Sequence, residues 1–210
     1  MPKKFNHALY IILDKQTLAK KNLLKISRKI IRARPDLVQL RDKAGLGKGI
    51  LKTALKLKKL CRANKVKLLM NDRLDLALLA GCDGVHLGQD DIPIKIARKF
   101  LGKNKIIGIS CHSLSQALKA QSGGADYISI GPVFTTPTKP EYRPVGLQLV
   151  SRAKNKIRIP FFVIGDIKLS NLKTLLKSGA GNVAVCREVC LAKQPAVAIR
   201  TLKKILRNYN

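Results

Sequence analysis

The sequence predicts an α/β fold, a (β/α)8 TIM barrel that forms a single domain over residues 1–210. Short apolar runs rich in β-branched residues alternate with longer amphipathic runs, and each type occurs eight times. Strands of this composition belong to parallel sheets that helices cover on the outside. Such barrels start at roughly 200 residues, so the chain has the length for one of them. A doubly wound open sheet is the alternative.

The alternation places each element along the chain. Apolar side chains spaced three and four residues apart mark the helices, as in the run from Leu18 to Ile31. Ser113 or Ser115 can cap the fifth helix, which Gly123–Gly124 would end. The predicted strands cover residues 8–13, 37–41, 67–70, 83–87, 105–110, 125–131, 159–165 and 181–186. The predicted helices cover about 17–33, 48–64, 74 onward, 93–101, 113–123, 146 onward, a stretch ending near 178, and 188–207.

The net charge of +30, from 42 Lys and Arg against 12 Asp and Glu, is the strongest feature of the composition. A nucleic-acid partner is one explanation for so much positive charge. However, the lysines are spread over most of the predicted helices, and an aromatic content of 4% leaves few side chains for base stacking. The pattern favours a solvated basic surface that attracts small phosphorylated anions over a nucleic-acid groove.

Membrane and disulfide-rich classes do not fit the sequence. No apolar run approaches the roughly 18 residues needed to cross a bilayer. The first apolar run meets Asp14 and Lys15 too early for a signal peptide and has no small-residue cleavage site. The five cysteines form no CxxC motif, and Cys186 and Cys190 have no second pair to complete a zinc site. We expect reduced thiols in a cytoplasmic protein that makes no membrane contact.

Acidic residues are concentrated in residues 70–91, which read as strand, short helix and strand. Asp72 follows the third predicted strand, and Asp90 and Asp91 follow the fourth. Carboxylates at the ends of neighbouring parallel strands can converge on one hard cation. Alternatively, Asp72 caps the short helix and the other two aspartates form a turn before Pro93. The pattern alone leaves both interpretations open.

Polar and cationic side chains end several of the other predicted strands. Gln39 and Arg41 share one face of the second strand, and Lys43 lies just beyond it. Positive side chains that point into a barrel mouth are costly unless they meet an anion. With a metal held by the carboxylates, they would suit a diphosphate. A helix that begins near Arg187, after the eighth strand, offers a second region for phosphate.

The chain resembles the thiamine phosphate synthase family over essentially its full length. Five motifs in the expected order carry this resemblance: Val38–Lys43, Asn71–Asp75, Gly84–Asp91, Gly108–Ser110 and Gly131–Lys139. The resemblance implies a (β/α)8 barrel that transfers the 4-amino-2-methyl-5-pyrimidinylmethyl group from its diphosphate to the nitrogen of a thiazole phosphate. The products would be thiamine phosphate and diphosphate.

The resemblance also implies roles for individual residues. Arg41, Lys43 and Lys139 would stabilise the negative charge on the departing diphosphate. Asp72 and Asp91 would bind Mg²⁺, the implied cofactor. The thiazole nitrogen attacks directly, so no protein nucleophile is expected. The implied contacts to the pyrimidine diphosphate are Gln39, Leu40, Arg41, Asp42, Lys43, Asn71, Ser110 and Lys139. The implied contacts to the thiazole phosphate are Thr136, Pro137 and Thr138, with Asp166, Cys186 and Arg187 at the other phosphate-binding positions.

Three of these positions depart from the family's usual pattern. Asp166 stands where the family has a second glycine after the seventh strand. Cys186 stands where an aliphatic residue is usual, and Arg187 where a small hydroxyl residue is usual. A carboxylate at this place should repel phosphate, although aspartate tolerates unusual backbone dihedrals. We hypothesise that Asp166 and Arg187 changed together, with Arg187 either binding the phosphate or pairing with Asp166.

Two other functions fit parts of the sequence. The first is a thiazole tautomerase of the same barrel family, in which a histidine at the position of His112 is catalytic. The second is a non-catalytic basic barrel that binds RNA, for which a steep salt dependence of binding is expected. The diphosphate and metal residues favour the synthase. His86, inside the fourth strand, is interpreted as a hydrogen-bonded barrel histidine and not as a metal ligand. The sequence leaves the oligomeric state and the preferred form of the thiazole open.

Overall fold

The computed structural model describes residues 5–138 and 142–209, which form a closed barrel of eight parallel strands in chain order. Each strand pairs with its neighbours in sequence, and the first pairs with the last. This confirms the predicted barrel and excludes the open sheet. The strands are β1 Leu9–Asp14, β2 Leu37–Arg41, β3 Lys67–Asn71, β4 Gly84–Leu87, β5 Ile106–Cys111, β6 Tyr127–Ile130, β7 Phe161–Ile164 and β8 Asn182–Val185.

Helices follow the strands and pack outside the barrel. They are α1 Leu23–Arg32, α2 Gly47–Ala63, α3 Leu74–Leu79, α4 Ile94–Leu101, α5 Leu114–Ser122, α6 Gly146–Lys156, α7 Leu169–Lys177, α8 Arg187–Cys190 and α9 Pro195–Asn208. Ser113 caps α5 by accepting a hydrogen bond from the backbone of Gln116 at 3.2 Å. Of the two serines that the sequence offered as the cap, Ser113 is therefore the one used.

Two predicted helix boundaries are wrong. The first helix starts at Leu23, and not near residue 17, because Asn22 caps it by accepting a hydrogen bond from the backbone of Lys25 at 3.0 Å. Leu18, which suggested the earlier start, is buried from the preceding turn. The last predicted helix is two helices, because Pro195 occupies the first turn of a separate α9. The described chain therefore has nine helices instead of the eight predicted.

Aromatic side chains fill the barrel interior below the strand ends. Tyr10, Tyr127 and Phe162 are each at most 1% exposed and contact one another edge to face. Gly108 makes room for this cluster, since a Cβ atom there would lie 2.0 Å from the Tyr127 ring. The glycine of the Gly108–Ser110 motif is thus required by the packing of the barrel interior.

Two expectations about protein class can be compared with the described residues. None of the helices described is long and apolar enough to cross a membrane. All five cysteines are free thiols, and four of them are buried. No group of three or more His, Cys, Asp or Glu side chains within residues 5–138 and 142–209 is arranged to hold a metal. The reduced state of the cysteines agrees with the sequence-based expectation.

Candidate active site

A pocket of about 850 Å³, including its open mouth, lies at the carboxyl ends of the barrel strands. In a barrel this end carries the catalytic residues, because loops from all eight strands meet there. Side chains from both halves of the barrel line the pocket. Those used below are Gln39, Arg41, Asn71, His86, Ser110, His112, Ser129, Thr136, Thr138, Asp166, Cys186 and Arg187.

The two predicted metal ligands, Asp72 and Asp91, face each other beside this pocket. Burial raises the pKa of Asp72, and the charge of Asp91 and a hydrogen bond with it raise this pKa further. Asp91 is held in place by the backbone N–H of Gly88, which donates to its carboxylate at 2.6 Å. The repulsion between the two carboxylates is the property expected of a site that attracts a cation.

Asp72 does not cap the following helix. The N-cap of α3 is Arg73, and no side chain makes the capping hydrogen bond. The backbone of Asp72 is left-handed, with a φ of 57°, which aspartate tolerates better than most residues. Between the two interpretations that the sequence left open, the geometry favours the carboxylate pair over the helix cap.

The donor set fits Mg²⁺ better than a metal that needs a complete protein cage. Mg²⁺ commonly takes one or two carboxylates and completes its shell with water and substrate phosphates. Asp72 and Asp91 supply two hard oxygen donors of this kind. Lys43 lies next to them, with its Nζ 3.3 Å from the Asp72 carboxylate, and its side chain is about half exposed. A mobile cation beside a carboxylate pair is placed to turn toward a bound diphosphate.

Arg41 is fixed from below by a buried ion pair. Its Nη1 lies 2.7 Å from the carboxylate of Asp14, which is only 2% exposed. Asp14 also accepts hydrogen bonds from the backbone and the hydroxyl of Thr17, at 3.0 and 2.8 Å. Breaking such a pair leaves an uncompensated buried charge. Arg41 is therefore held rigidly at the pocket, whereas Lys43 can move.

A row of hydrogen bonds crosses the floor of the pocket. The amide of Gln39 donates to the Tyr10 hydroxyl, which also accepts from the Tyr127 hydroxyl at 3.2 Å. The Tyr127 oxygen lies 2.7 Å from His86 Nδ1, and His86 Nε2 lies 2.9 Å from Ser110 Oγ. Both ring nitrogens of His86 are engaged. This confirms the prediction of a hydrogen-bonded barrel histidine.

The loop after β6 forms another wall of the pocket. Thr136 is buried, and its hydroxyl accepts a hydrogen bond from the backbone of Thr138 at 3.3 Å. His112 faces this wall, since its Nδ1 bonds the carbonyl of Gly131 and its ring lies against that of Tyr142, tilted by 35°, with centroids 4.5 Å apart. Lys139, predicted to contact the diphosphate, lies outside the described residues.

The ends of β7 and β8 carry the residues that depart from the family pattern. Asp166 has a left-handed backbone, with a φ of 42°, and its carboxylate lies 2.6 Å from Lys168 Nζ. Arg187 lines the pocket and forms no ion pair within the described parts of the chain. Of the two hypothesised roles, pairing with Asp166 is therefore not observed. Cys186 lies beside Arg187, with its Sγ 3.7 Å from the hydroxyl of Thr17.

Not every predicted contact residue points a side chain into the pocket. Leu40 is buried in the hydrophobic core between the barrel and the helices. Asp42 pairs with Lys15 at 3.0 Å. Pro137 does not line the cavity, although Thr136 and Thr138 on either side of it do. Leu40, Asp42 and Pro137 are therefore not among the residues that line the cavity.

Several residues that shape the site are not predicted from the sequence. Asp14 is interpreted there only as a break in an apolar run, and Tyr10 and Tyr127 lie unremarked within predicted strands. Their contacts depend on which strand positions meet across the barrel, and the sequence of one strand does not give that information. Lys168 follows Asp166 by two residues, but this spacing does not say whether the two side chains meet.

The chain matches known proteins over almost its full length. A sequence profile of the family described as "Thiamine monophosphate synthase" matches residues 9–189. The chain is similar to the thiamine-phosphate synthase of Clostridium acetobutylicum, with 37% identity over 192 residues, which cover 91% of each protein. It is similar to the thiamine-phosphate synthase of Syntrophomonas wolfei, with 38% identity over 201 residues, which cover 95% of this chain and 96% of the relative.

Solved structures agree with these matches. The thiamine phosphate pyrophosphorylase from Pyrococcus furiosus superimposes with a TM-score of 0.88 and 32% identity, over 97% of this chain and 98% of the other. KGPDC from Streptococcus mutans superimposes with a TM-score of 0.72 at 13% identity, over 98% and 99% of the two chains. At this lower identity, the similarity shows that the barrel fold is shared and no more.

Proposed function

The chain belongs to the thiamine monophosphate synthase family and has the activity of a thiamine-phosphate synthase, a transferase of thiamine biosynthesis, and on this premise we propose how its pocket performs the transfer. The observation that carries the proposal is the carboxylate pair Asp72 and Asp91 with Lys43 next to it, together with Arg41 in the lining of the pocket. Opposite charges of this kind suit a metal-bound diphosphate.

Asp72 and Asp91 would hold Mg²⁺, which would neutralise part of the charge on the diphosphate oxygens when it is bound. Arg41 would donate hydrogen bonds to the diphosphate from a fixed position, because Asp14 holds its guanidinium. Lys43 would leave Asp72 and follow the diphosphate, since its exposed side chain is free to rotate. Lys139 would add a further cation from the loop after β6.

Departure of the diphosphate is the step in which this arrangement acts. The bond from the pyrimidinylmethyl carbon to the diphosphate oxygen breaks, and negative charge accumulates on the leaving group. Donors that are already in place when this charge develops usually give the largest catalytic effect. The aminopyrimidine ring stabilises the positive carbon, and the thiazole nitrogen then forms the new C–N bond. No side chain of the protein forms a covalent intermediate.

The thiazole phosphate would bind on the opposite side of the pocket, near the ends of β6, β7 and β8. Thr136 and Thr138 would supply hydroxyl donors there. Arg187 supplies a positive charge that no carboxylate within the described residues neutralises. Lys168 offsets the charge of Asp166, so the carboxylate is compatible with a nearby phosphate. The two substrates would thus meet across the pocket, with their phosphates on opposite walls.

The proposal is tested by measuring diphosphate release from the pyrimidine diphosphate, with and without thiazole phosphate and Mg²⁺. Release that requires all three components and yields thiamine phosphate is the expected result. Isomerisation of a thiazole phosphate without diphosphate release would instead indicate a tautomerase. Salt-sensitive RNA binding without turnover would indicate a binding protein. Either outcome would overturn the proposed use of the pocket.

A further inference from the structure

The row of hydrogen bonds below the pocket joins two residues assigned to the pyrimidine diphosphate. Gln39 stands at one end of the row and Ser110 at the other. Tyr10, Tyr127 and His86 connect them, and all three are at most 6% exposed. Their polar atoms form hydrogen bonds with other side chains of the row. A buried row with every member paired is rigid, because any displacement leaves a polar atom unsatisfied.

His86 links the row to Ser110 whichever of its ring nitrogens carries the proton. The Gln39 amide nitrogen donates to the Tyr10 oxygen, which lies 3.2 Å from the Tyr127 oxygen. The Tyr127 oxygen lies 2.7 Å from His86 Nδ1, and the Ser110 oxygen lies 2.9 Å from His86 Nε2. Because a hydroxyl can donate or accept, each ring nitrogen has a hydrogen-bond partner in either tautomer.

The surroundings keep this row in place. Burial raises the pKa of both Tyr10 and Tyr127, so both phenols keep their protons throughout the neutral range. The ring of Tyr127 lies against Gly108, where a Cβ atom would approach it to 2.0 Å. Ser129 Oγ makes a longer contact of 3.3 Å to the same His86 Nε2. Ser110 is therefore the closer hydroxyl partner of this nitrogen.

We propose that His86 is a positioning residue that fixes the Ser110 hydroxyl through its Nε2, so that Ser110 is held in place to hydrogen-bond the pyrimidine diphosphate. The inference rests on the proposed function, because it takes the pocket side of Ser110 as the pyrimidine diphosphate site. His86 is only 6% exposed, so on this proposal it acts through Ser110 and not by direct contact with the substrate. Its effect should appear in the binding of one substrate and not of the other.

Two variants of His86 separate its two contacts. In His86→Gln the side-chain amide reaches the place of Nε2, and in His86→Asn it reaches only that of Nδ1. We expect His86→Asn to raise the KM for the pyrimidine diphosphate about tenfold, while the KM for thiazole phosphate stays within about twofold. His86→Gln should recover most of the loss. An equal change in both KM values, or a Gln variant no better than the Asn variant, would contradict the proposal.

A double-mutant cycle tests the path through Ser110. Ser110→Ala should raise the same KM about tenfold in the wild-type background and have little further effect in His86→Asn. Additive effects would overturn the coupling. Ser27→Ala is the matched control, because it removes another buried serine hydroxyl, bonded to Leu23 at 2.7 Å and distant from the pocket.

One more variant covers the case in which His86→Asn does not fold. Tyr127→Phe keeps the ring and its packing and removes only the oxygen that hydrogen-bonds His86 Nδ1. We expect the KM for the pyrimidine diphosphate alone to rise a fewfold. An unchanged KM would show that the row of hydrogen bonds does not position Ser110. Wild-type enzyme that makes no thiamine phosphate would refute the proposed function. Wild-type turnover with unchanged KM values in the variants would refute only the role of His86.

Discussion

Asp72 and Asp166 have the same side chain and nearly the same backbone, yet they stand in opposite electrostatic surroundings. Asp72 directly follows β3, Asp166 follows β7 after one glycine, and each has a left-handed φ, of 57° and 42°. Each also pairs with a lysine, Lys43 at 3.3 Å and Lys168 at 2.6 Å. The difference is a second carboxylate, which Asp72 has in Asp91 and which Asp166 lacks among its described contacts.

The neighbours, and not the residue type, decide what each aspartate can bind. Two carboxylates against one mobile lysine leave a net negative charge, which a divalent cation can neutralise. One carboxylate against one close lysine is neutral, so a phosphate nearby meets little repulsion and can use Arg187. The following changes test this difference, beginning with the largest expected effect.

Removing one carboxylate of the pair should have the largest effect. We expect Asp91→Asn to lower kcat/KM for the pyrimidine diphosphate by about 10²–10³-fold, because the metal and the charge it neutralises are lost together. The dependence of the rate on Mg²⁺ concentration measures this. Asp90→Asn is the matched control, since Asp90 is adjacent but exposed. Equal losses in the two variants would show that general charge, and not a metal site, is responsible.

The second effect concerns Arg187 on the neutral side of the pocket. We expect Arg187→Met to raise the KM for thiazole phosphate about tenfold, because a charge-assisted contact to the phosphate is removed. The KM for the pyrimidine diphosphate should hardly change. Steady-state kinetics with each substrate varied in turn gives both values. If the KM for the pyrimidine diphosphate rises instead, Arg187 contacts that substrate and not the thiazole phosphate.

Most of the frame of this site could be predicted from the sequence, because strand ends in a barrel converge whatever their loops contain. Gln39, Arg41 and Asn71 were found in this way and do line the pocket. The pairing of Asp166 could not be assigned, because a residue two positions further along points toward or away from it depending on a loop's dihedrals. The buried pair of Arg41 and Asp14 could not be predicted either, because it depends on the register between β1 and β2.

The helix boundaries failed for a related reason. The apolar residues of 17–33 have helical spacing, but Leu18 lies in a turn before the helix. This turn also buries its side chain, so the spacing alone does not distinguish turn from helix. Periodicity reports which side chains face the core and does not report the backbone that brings them there. The cap at Asn22 and the proline at Pro195 were the local signals that marked the true starts. Both were outweighed by the longer apolar patterns around them.

A third and smaller effect should follow from the pair Asp166 and Lys168. Lys168→Met leaves the carboxylate unopposed and should raise the KM for thiazole phosphate about two- to fivefold. Asp166→Asn should lower it by a similar factor, and the double variant should return near the wild-type value. Asp166→Gly should lower it at least as much as Asn does. If Asp166→Asn and Asp166→Gly leave the KM unchanged, the carboxylate does not reach the phosphate.

The smallest effect is on the stability of the metal-free protein. Folding raises the pKa of Asp72, so the charged carboxylate is less favourable in the folded protein than in the unfolded chain. The free energy of unfolding therefore falls as the pH rises and Asp72 ionises, until the pH has passed the raised pKa. Asp72→Asn cannot ionise, so we expect it to be more stable than wild type at neutral pH, by no more than about 1 kcal/mol. The gain should disappear near pH 4, at about the ordinary carboxyl pKa.

Urea denaturation at several pH values, with and without Mg²⁺, measures this difference. Mg²⁺ should stabilise the wild type and hardly affect Asp72→Asn, because only a folded carboxylate pair binds it well. Asp75→Asn provides a control of opposite sign, since the hydrogen bond from Arg73 lowers the pKa of Asp75 and its loss should not stabilise the protein. A gain in Asp72→Asn that persists in acid would assign the effect to the left-handed backbone, which Asn also favours, and not to the charge of the pair.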